Sequence, residues 1–180
     1  MNLTFITGNV AKAEQLGRHL EHPVAHRKLD LPEIQSLDLH EIIKHKTKEA
    51  FKKVGGLVLV EDTSLTFNAL GKLPGPLVKW FLTELDNDGL CKILNSYDDR
   101  SALAEVCFGL YDGKELKMFE GQMEGTVSAS PRGERGFGWD SVFIPKGHEK
   151  TWGEMDAEEQ KETSMRRIAL KKLEEYLKNQ

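Results

Sequence analysis

A continuous run of apolar residues, Leu57-Val58-Leu59-Val60, is followed at once by two acids, Glu61 and Asp62. An apolar run of this length, without alternating polar positions, is typical of a strand that is buried on both faces of a sheet. Helices cover both sides of such sheets, so the run favours an α/β fold. The two acids follow the predicted strand at its carboxyl end, where side chains are well placed for chemistry.

The segments before this run alternate between strand and helix patterns. Apolar residues at 3–6 predict a first strand, and after a turn at 7–9 the apolar spacing over 13–20 predicts a helix. Residues 24–29 predict a second strand, and 39–51 a second helix. This alternation is typical of a sheet that contains parallel strands.

The segments after the run contain a helix and a hairpin. Residues 73–76, which read Leu-Pro-Gly-Pro, predict a turn before a helix that starts at Leu77. Apolar residues from 101 to 126 predict two strands joined at Asp112-Gly113, a dipeptide that tolerates the positive φ of tight turns. We expect these two strands to be antiparallel.

The last part of the chain begins with a glycine-rich loop at 133–140, a short strand at 142–144 and an amphipathic helix over 165–177. On a regular helix Ser164 and Arg166 would point about 200° apart. They can serve one ligand only if the chain is non-helical there, so we predict a helix break near Thr163. The whole pattern predicts one α/β domain over 1–180, with a mixed sheet.

Composition excludes several classes of protein. Of 180 residues, 39% are apolar and 30% charged, which is too hydrophobic for a disordered chain. A net charge of −4 argues against nucleic acid as the main partner, because binding to such a polyanion depends on basic stripes. There is neither an apolar run of about 20 residues nor a secretory signal, so we expect a cytoplasmic protein without a membrane partner. Cys91 and Cys107 are expected to be reduced, packed thiols.

The segment Thr7-Gly8-Asn9-Val10-Ala11-Lys12 lies where a strand meets a helix. Backbone amides at a helix N-terminus attract phosphate, and Lys12 adds a positive charge. The structural alternative is an ordinary turn with an asparagine cap.

Three acids, Glu33, Glu61 and Asp62, could converge if the polar loop at Glu33 folds back towards the strand. Such a cluster suits Mg²⁺, which binds one or two carboxylates together with substrate phosphates. The alternative is a set of ordinary surface acids.

Lys12, Lys46, Lys79 and Arg166 each lie near a predicted loop or helix end, and each taken alone is a typical solvated charge. Phe137-Gly138-Trp139-Asp140 places two aromatic rings beside an acid in a loop. These rings could stack on a flat heterocycle, or they could simply cap the core.

Together these segments resemble the inosine triphosphate pyrophosphatase family, the Ham1-like nucleoside triphosphate pyrophosphatases. The resemblance covers nearly the whole chain and rests on six stretches in a fixed order. They are TGNVAK (7–12), LPEIQ around Glu33, LVEDTSL around Asp62, NALGKLPGPLVKWFL through Lys79, PRG then FGWD (137–140), and SMR (164–166).

The resemblance implies an elongated, ITPase-like α/β fold, with two lobes around a central cleft, and a homodimer. It implies Mg²⁺-dependent hydrolysis, with Mn²⁺ as a possible substitute, of a nucleoside triphosphate to the monophosphate and pyrophosphate. Glu33 and Asp62 are the implied metal ligands, and Asp62, then Glu61, the implied catalytic acids. The implied substrate-binding residues are Thr7, Gly8, Asn9, Lys12, Lys46, Thr63, Lys79, Phe137, Gly138, Trp139, Asp140, Ser164, Met165 and Arg166.

The chain departs from the family pattern in the part that would read the base. Members typically carry Ser-His-Arg where this chain has Ser164-Met165-Arg166, and a lysine where it has Gln160, although Lys161 follows. Methionine has no hydrogen-bond donor for a purine edge. We therefore expect either action on aberrant purines such as ITP, dITP and XTP, or the same reaction on another base. A catalytically weak nucleotide sensor is the alternative from another class.

Overall fold

A computed structural model describes residues 3–20 and 24–179. Seven strands of this described part form one open mixed sheet in the order β2-β1-β3-β5-β6-β7, with β4 paired to β3. β1 is parallel to β2 and to β3, whereas β4 is antiparallel to β3 and β7 to β6. The strands are β1 Leu3–Ile6, β2 Val24–Arg27, β3 Leu57–Phe67, β4 Pro74–Gly75, β5 Ser101–Tyr111, β6 Leu116–Val127 and β7 Phe143–Pro145.

Five α-helices within the described residues flank the sheet, and several of their ends follow ordinary capping chemistry. Asp38 caps α2, and Asp156 forms a capping box with Glu159 at the start of α4. Gly55 ends α2 at a positive φ of 67°. The helices are α1 Val10–His19, α2 Leu39–Val54, α3 Val78–Ile93, α4 Ala157–Thr163 and α5 Met165–Lys178.

The chain divides into two compact units. The first contains the described residues up to Thr63, Val106–Gly121, and the residues from Arg166 onwards. Its core includes Ile6, Ile43 and Val60, all at most 1% exposed. The second contains Ser64–Glu105 and Gln122–Met165.

The core of the second unit is rich in aromatic rings. Trp139, Phe143 and Trp152 pack together, with ring centroids 4.5 to 5.9 Å apart. The indole Nε1 of Trp152 donates to Thr163 Oγ1 at 2.8 Å, so its polar atom is satisfied inside the core.

Several predicted elements are confirmed. β5 and β6 are joined through Asp112-Gly113, and α5 follows a break at Ser164, whose backbone is extended (φ −72°, ψ 116°). The predicted mixed α/β sheet is also confirmed.

One prediction was wrong, and another was incomplete. β3 does not end at Val60 but continues to Phe67, so Glu61 and Asp62 lie within the strand and not after it. The reason is that Leu65 and Phe67 stay fully buried beyond the acids, so the sheet continues to gain apolar burial. The turn predicted before α3 is present, since the backbone N–H of Leu77 donates to the oxygen of Pro74 at 3.1 Å, and Pro74 and Gly75 also form β4 by pairing with Thr66 and Leu65 of β3.

Candidate active site

The central strand β3 gives its two adjacent acids different environments. Successive side chains of a strand point to opposite faces of the sheet. The side chain of Glu61 is 1% exposed, whereas that of Asp62 is 22% exposed. Each carboxylate has its own set of charged neighbours, and both sets lie within the first unit.

Glu61 is held by two cations that are distant in sequence. Lys12 Nζ of α1 lies 3.2 Å from Glu61 Oε1, and Arg166 at the start of α5 donates to the same oxygen through Nη2 at 2.9 Å and Nε at 3.2 Å. Burial opposes ionisation of Glu61, but the charges of Arg166 and Lys12 outweigh it and lower its pKa to about 2. Glu61 is therefore an anion at neutral pH, with two cations around one carboxylate.

Asp62 belongs to a set with the opposite charge balance. Lys46 Nζ of α2 donates to Glu33 Oε1 at 2.9 Å and to Asp62 Oδ2 at 3.0 Å. Burial opposes the charge on Lys46, but Asp62 and Glu33 together raise its pKa. The other oxygen of Asp62 accepts from the backbone N–H of Thr63 at 2.9 Å. Two carboxylates thus converge on one ammonium group.

The donor set of Glu33 and Asp62 fits a hard divalent cation. Both carboxylates lie within 3.0 Å of one point, which is already occupied by a positive charge, the Lys46 ammonium. Carboxylate oxygens are the ligands that Mg²⁺ and Mn²⁺ take in proteins. The residues therefore fit the metal that the resemblance implies.

The turn before α1 is ordered by short polar side chains. Thr7 Oγ1 accepts from the backbone N–H of Asn9 at 3.1 Å, and Asn9 Oδ1 accepts from that of Lys12 at 3.3 Å. Gly8 is exposed, and a Cβ there would meet nothing within 4 Å. Asn9 thus acts as a cap, as the structural alternative for this segment predicts, while the turn also starts the helix that carries Lys12 to Glu61.

The loop at 137–140 lies in the second unit. Trp139 is only 7% exposed, and its ring packs in the aromatic core, which agrees with the alternative that it caps the core. The backbone N–H of Phe137 donates to Asp140 Oδ2 at 2.8 Å, and Gly138 O accepts from Asn87 Nδ2 at 3.0 Å. Phe137 and Asp140 remain partly exposed.

The junction of α4 and α5 carries the residues that depart from the family pattern. Met165 is 2% exposed, and Gln160 donates from Nε2 to the backbone oxygen of Trp152 at 2.6 Å. Lys161 is exposed, and its Nζ lies 3.6 Å from Glu158 Oε2. Gln160 therefore contributes a structural hydrogen bond within the second unit.

The first unit brings together six of the residues named from the sequence. They are Lys12, Glu33, Lys46, Glu61, Asp62 and Arg166. The second unit contains Lys79, which is exposed near the start of α3, together with 137–140, Ser164 and Met165.

The pairing of Glu61 with Arg166 was not predicted. These residues are 105 positions apart, so no local pattern connects them. The available signal was the apolar run itself, because an acid that directly follows such a run in a buried strand needs cationic partners.

The Ham1 family profile matches residues 3–176. The chain belongs to the Ham1 family. Two solved Ham1 proteins share its fold with a TM-score of 0.86 and 24% identity. The match to the Staphylococcus aureus protein covers 99% of both chains, and the match to the Coxiella burnetii protein covers 100% of both chains.

A third solved structure has higher sequence identity to this chain. It is the Mycobacterium abscessus protein described as a nucleoside-triphosphatase and dITP/XTP pyrophosphatase. It is 27% identical with a TM-score of 0.75, and the match covers 96% of this Ham1 chain and 98% of that one. Among residues 3–20 and 24–179, no helix is both long and apolar enough to cross a membrane.

Proposed function

We propose that this Ham1 protein hydrolyses nucleoside triphosphates between the α- and β-phosphates, releasing the monophosphate and pyrophosphate. The observation that carries the proposal is the charge arrangement on β3. Glu61 is shared by two cations, and the next residue, Asp62, shares one cation with Glu33. Family membership and the description of the Mycobacterium abscessus relative support the same reaction.

Lys12 and Arg166 are proposed to bind the phosphate chain. Because they share one carboxylate, their set carries an excess positive charge that a phosphate oxygen can neutralise. Thr7, Gly8 and Asn9 form the turn at the N-terminus of α1, where backbone amides also favour an anion. Glu61 is then a positioning residue, because it holds both cations without being exposed itself.

Glu33 and Asp62 are proposed to hold Mg²⁺, with Mn²⁺ as a substitute. When bound, the metal neutralises phosphate charge and makes water a better nucleophile. Lys46, which lies between the two carboxylates, would be available to donate to a phosphate oxygen if a metal occupied that position. Asp62, which is partly exposed, accepts a proton from the attacking water, and Thr63 orients the Asp62 carboxylate through its backbone N–H.

The base is proposed to be a purine, with ITP, dITP and XTP as candidate substrates and Phe137, Asp140 and Ser164 as base-binding residues, while the buried Trp139 supports the loop from the aromatic core. Lys79 is proposed to contact the phosphates. Met165 offers no hydrogen bond to a keto purine, and the loss of one such bond costs about 1–3 kcal/mol. We therefore expect a preference for ITP over ATP or GTP about 5- to 150-fold weaker than in a Met165→His variant. A strong ITP preference in the unaltered protein contradicts this part of the proposal.

The reaction is tested by measuring pyrophosphate release with Mg²⁺ from a panel of ITP, dITP, XTP, ATP and GTP. Asp62→Asn should lower kcat by about 10²–10⁴-fold if Asp62 is the general base. Asp98→Asn is the matched control, because Asp98 is an exposed acid outside the site. If the unaltered protein binds nucleotide but releases pyrophosphate from none of the panel, the enzyme proposal fails and a nucleotide sensor replaces it.

A homodimer is proposed from the family resemblance. The helix α3 exposes two large apolar side chains, Trp80 (58%) and Leu85 (43%), which are candidates for contact with a partner. Sedimentation equilibrium should give twice the monomer mass of 20.4 kDa. A monomer at micromolar concentration contradicts it.

A further inference from the structure

The first unit contains a second cluster of metal-ligating side chains. It includes a thiol and an imidazole, so it suits a softer metal ion than Glu33 and Asp62 do. His40 lies in the first turn of α2, Cys107 in β5 and Glu120 in β6. One imidazole nitrogen, the thiol sulfur and one carboxylate oxygen all lie within 4.8 Å of one another. None of these residues belongs to the candidate active site.

The fold brings this cluster together through close packing of α2 on β5. A Cβ at Gly109 would lie 2.5 Å from Cγ2 of Ile43, so little space separates this helix from the strand. Cys107 is two residues from Gly109 and shares its face of the sheet, while Ile43 is about one turn along α2 from His40. The thiol therefore faces the first turn of α2.

The three groups differ in exposure in a way that suits an entering ion. Cys107 is fully buried, whereas the side chains of His40 and Glu120 are 55% and 43% exposed and form a hydrogen bond with each other. A hydrogen bond also holds the backbone of each exposed residue. Asp38 Oδ1 accepts from the backbone N–H of His40 at 2.9 Å, and Lys172 Nζ donates to the backbone oxygen of Glu120 at 2.7 Å.

We propose that His40, Cys107 and Glu120 bind Zn²⁺ through Nε2, Sγ and a carboxylate oxygen. Thiolate, imidazole and carboxylate are the donors that zinc takes in proteins. Tetrahedral zinc bonds of about 2.0–2.3 Å place neighbouring ligand atoms about 3.3–3.7 Å apart, which small side-chain rotations within this cluster can reach. Three protein ligands leave a fourth position for water. Glu33 and Asp62, which supply oxygen alone, suit a harder ion.

The test uses Co²⁺ as a spectroscopic probe for zinc in the reduced, metal-free, full-length protein. We expect one equivalent of Co²⁺ to give a thiolate-to-cobalt charge-transfer band, which added Zn²⁺ removes. Cys107→Ser should abolish this band. Cys91→Ser is the matched control, since Cys91 is the other buried thiol, and should keep it. Asp62→Asn should also keep it, which separates this site from the proposed magnesium ligands.

Two exposed positions keep the proposal testable if Cys107→Ser fails to fold. His40→Gln and Glu120→Gln should each weaken Zn²⁺ binding, measured calorimetrically, at least tenfold, with unchanged circular dichroism. The proposal is overturned if the folded protein shows no charge-transfer band with Co²⁺. It is equally overturned if the band persists in folded Cys107→Ser or if Zn²⁺ affinity is unchanged in both exposed variants.

Discussion

Replacement of Glu61 by glutamine tests the buried ion cluster directly. The substitution keeps the shape of the side chain but removes the negative charge that Lys12 and Arg166 share. These two cations are only 15% and 13% exposed in their side chains, so water compensates them poorly. Removing one partner of a buried ion pair costs about 3–5 kcal/mol. We expect Glu61→Gln to lose that much unfolding free energy at pH 7.

The pH dependence gives an independent measure of the same interaction. The pKa of Glu61 falls from 4.5 to about 2 in the folded state, and at about 1.4 kcal/mol per pKa unit this corresponds to about 3 kcal/mol. Because the folded-state pKa is lowered, the stabilisation is fully present above pH 4.5 and is lost as the pH falls towards 2. About 2 kcal/mol of it should be gone by pH 3. The unaltered protein and Glu61→Gln should therefore converge in stability as the pH falls.

The assay is urea unfolding, followed by tryptophan fluorescence, at several pH values between 7 and 3. Glu124→Gln is the control, because that glutamate is 67% exposed and its ion pair with Lys146 lies at the surface, where water and salt screen it. The reasoning is refuted if Glu61→Gln matches the unaltered protein at pH 7. A stability difference that stays constant between pH 7 and pH 3 refutes it as well.

Three further substitutions test single contacts within one unit or the other, and each is measured by urea unfolding. Gly109→Ala should cost about 1–3 kcal/mol, because the added Cβ would lie 2.5 Å from a methyl of Ile43, and an unchanged midpoint contradicts this contact. Thr163→Val should cost about 1–3 kcal/mol by leaving the buried Nε1 of Trp152 without an acceptor, whereas Thr163→Ser should restore most of it. Asp38→Ala should cost about 1 kcal/mol through loss of the α2 cap, and Asp38→Asn much less.

Hydrophobic pattern was sufficient to predict most of the fold. The run at 57–60, the helix at 39–51 and the turn at Asp112-Gly113 follow from local periodicity and turn chemistry, and each appears in the structure. Periodicity failed where tertiary burial decides the outcome. β3 continues past two acids because Leu65 and Phe67 are buried in the second unit, which the local sequence does not reveal.

The contacts of the candidate site were harder to predict than its residues. The residue pattern and the resemblance both named Glu33, Lys46 and Asp62, but the sharing of one ammonium by two carboxylates depends on the loop at Glu33 reaching α2. The aromatic loop shows the same limit. The sequence position of Trp139 is equally consistent with stacking on a base and with capping the core. Its burial against Trp152 depends on residues that follow it in the chain.

The charges around Glu61 and Asp62 on β3 match a ligand that carries both a metal ion and phosphates better than they match either component alone. Glu61 lies among two cations, whereas Asp62 lies in a set of two carboxylates and one cation, so adjacent residues start regions of opposite excess charge. A free triphosphate is attracted by the first region and repelled by the second, and a free divalent cation experiences the reverse. A metal-bound triphosphate presents both signs of charge within a few ångströms. The two regions together therefore match the charges of a metal-bound triphosphate better than those of either component alone, as the proposed function requires.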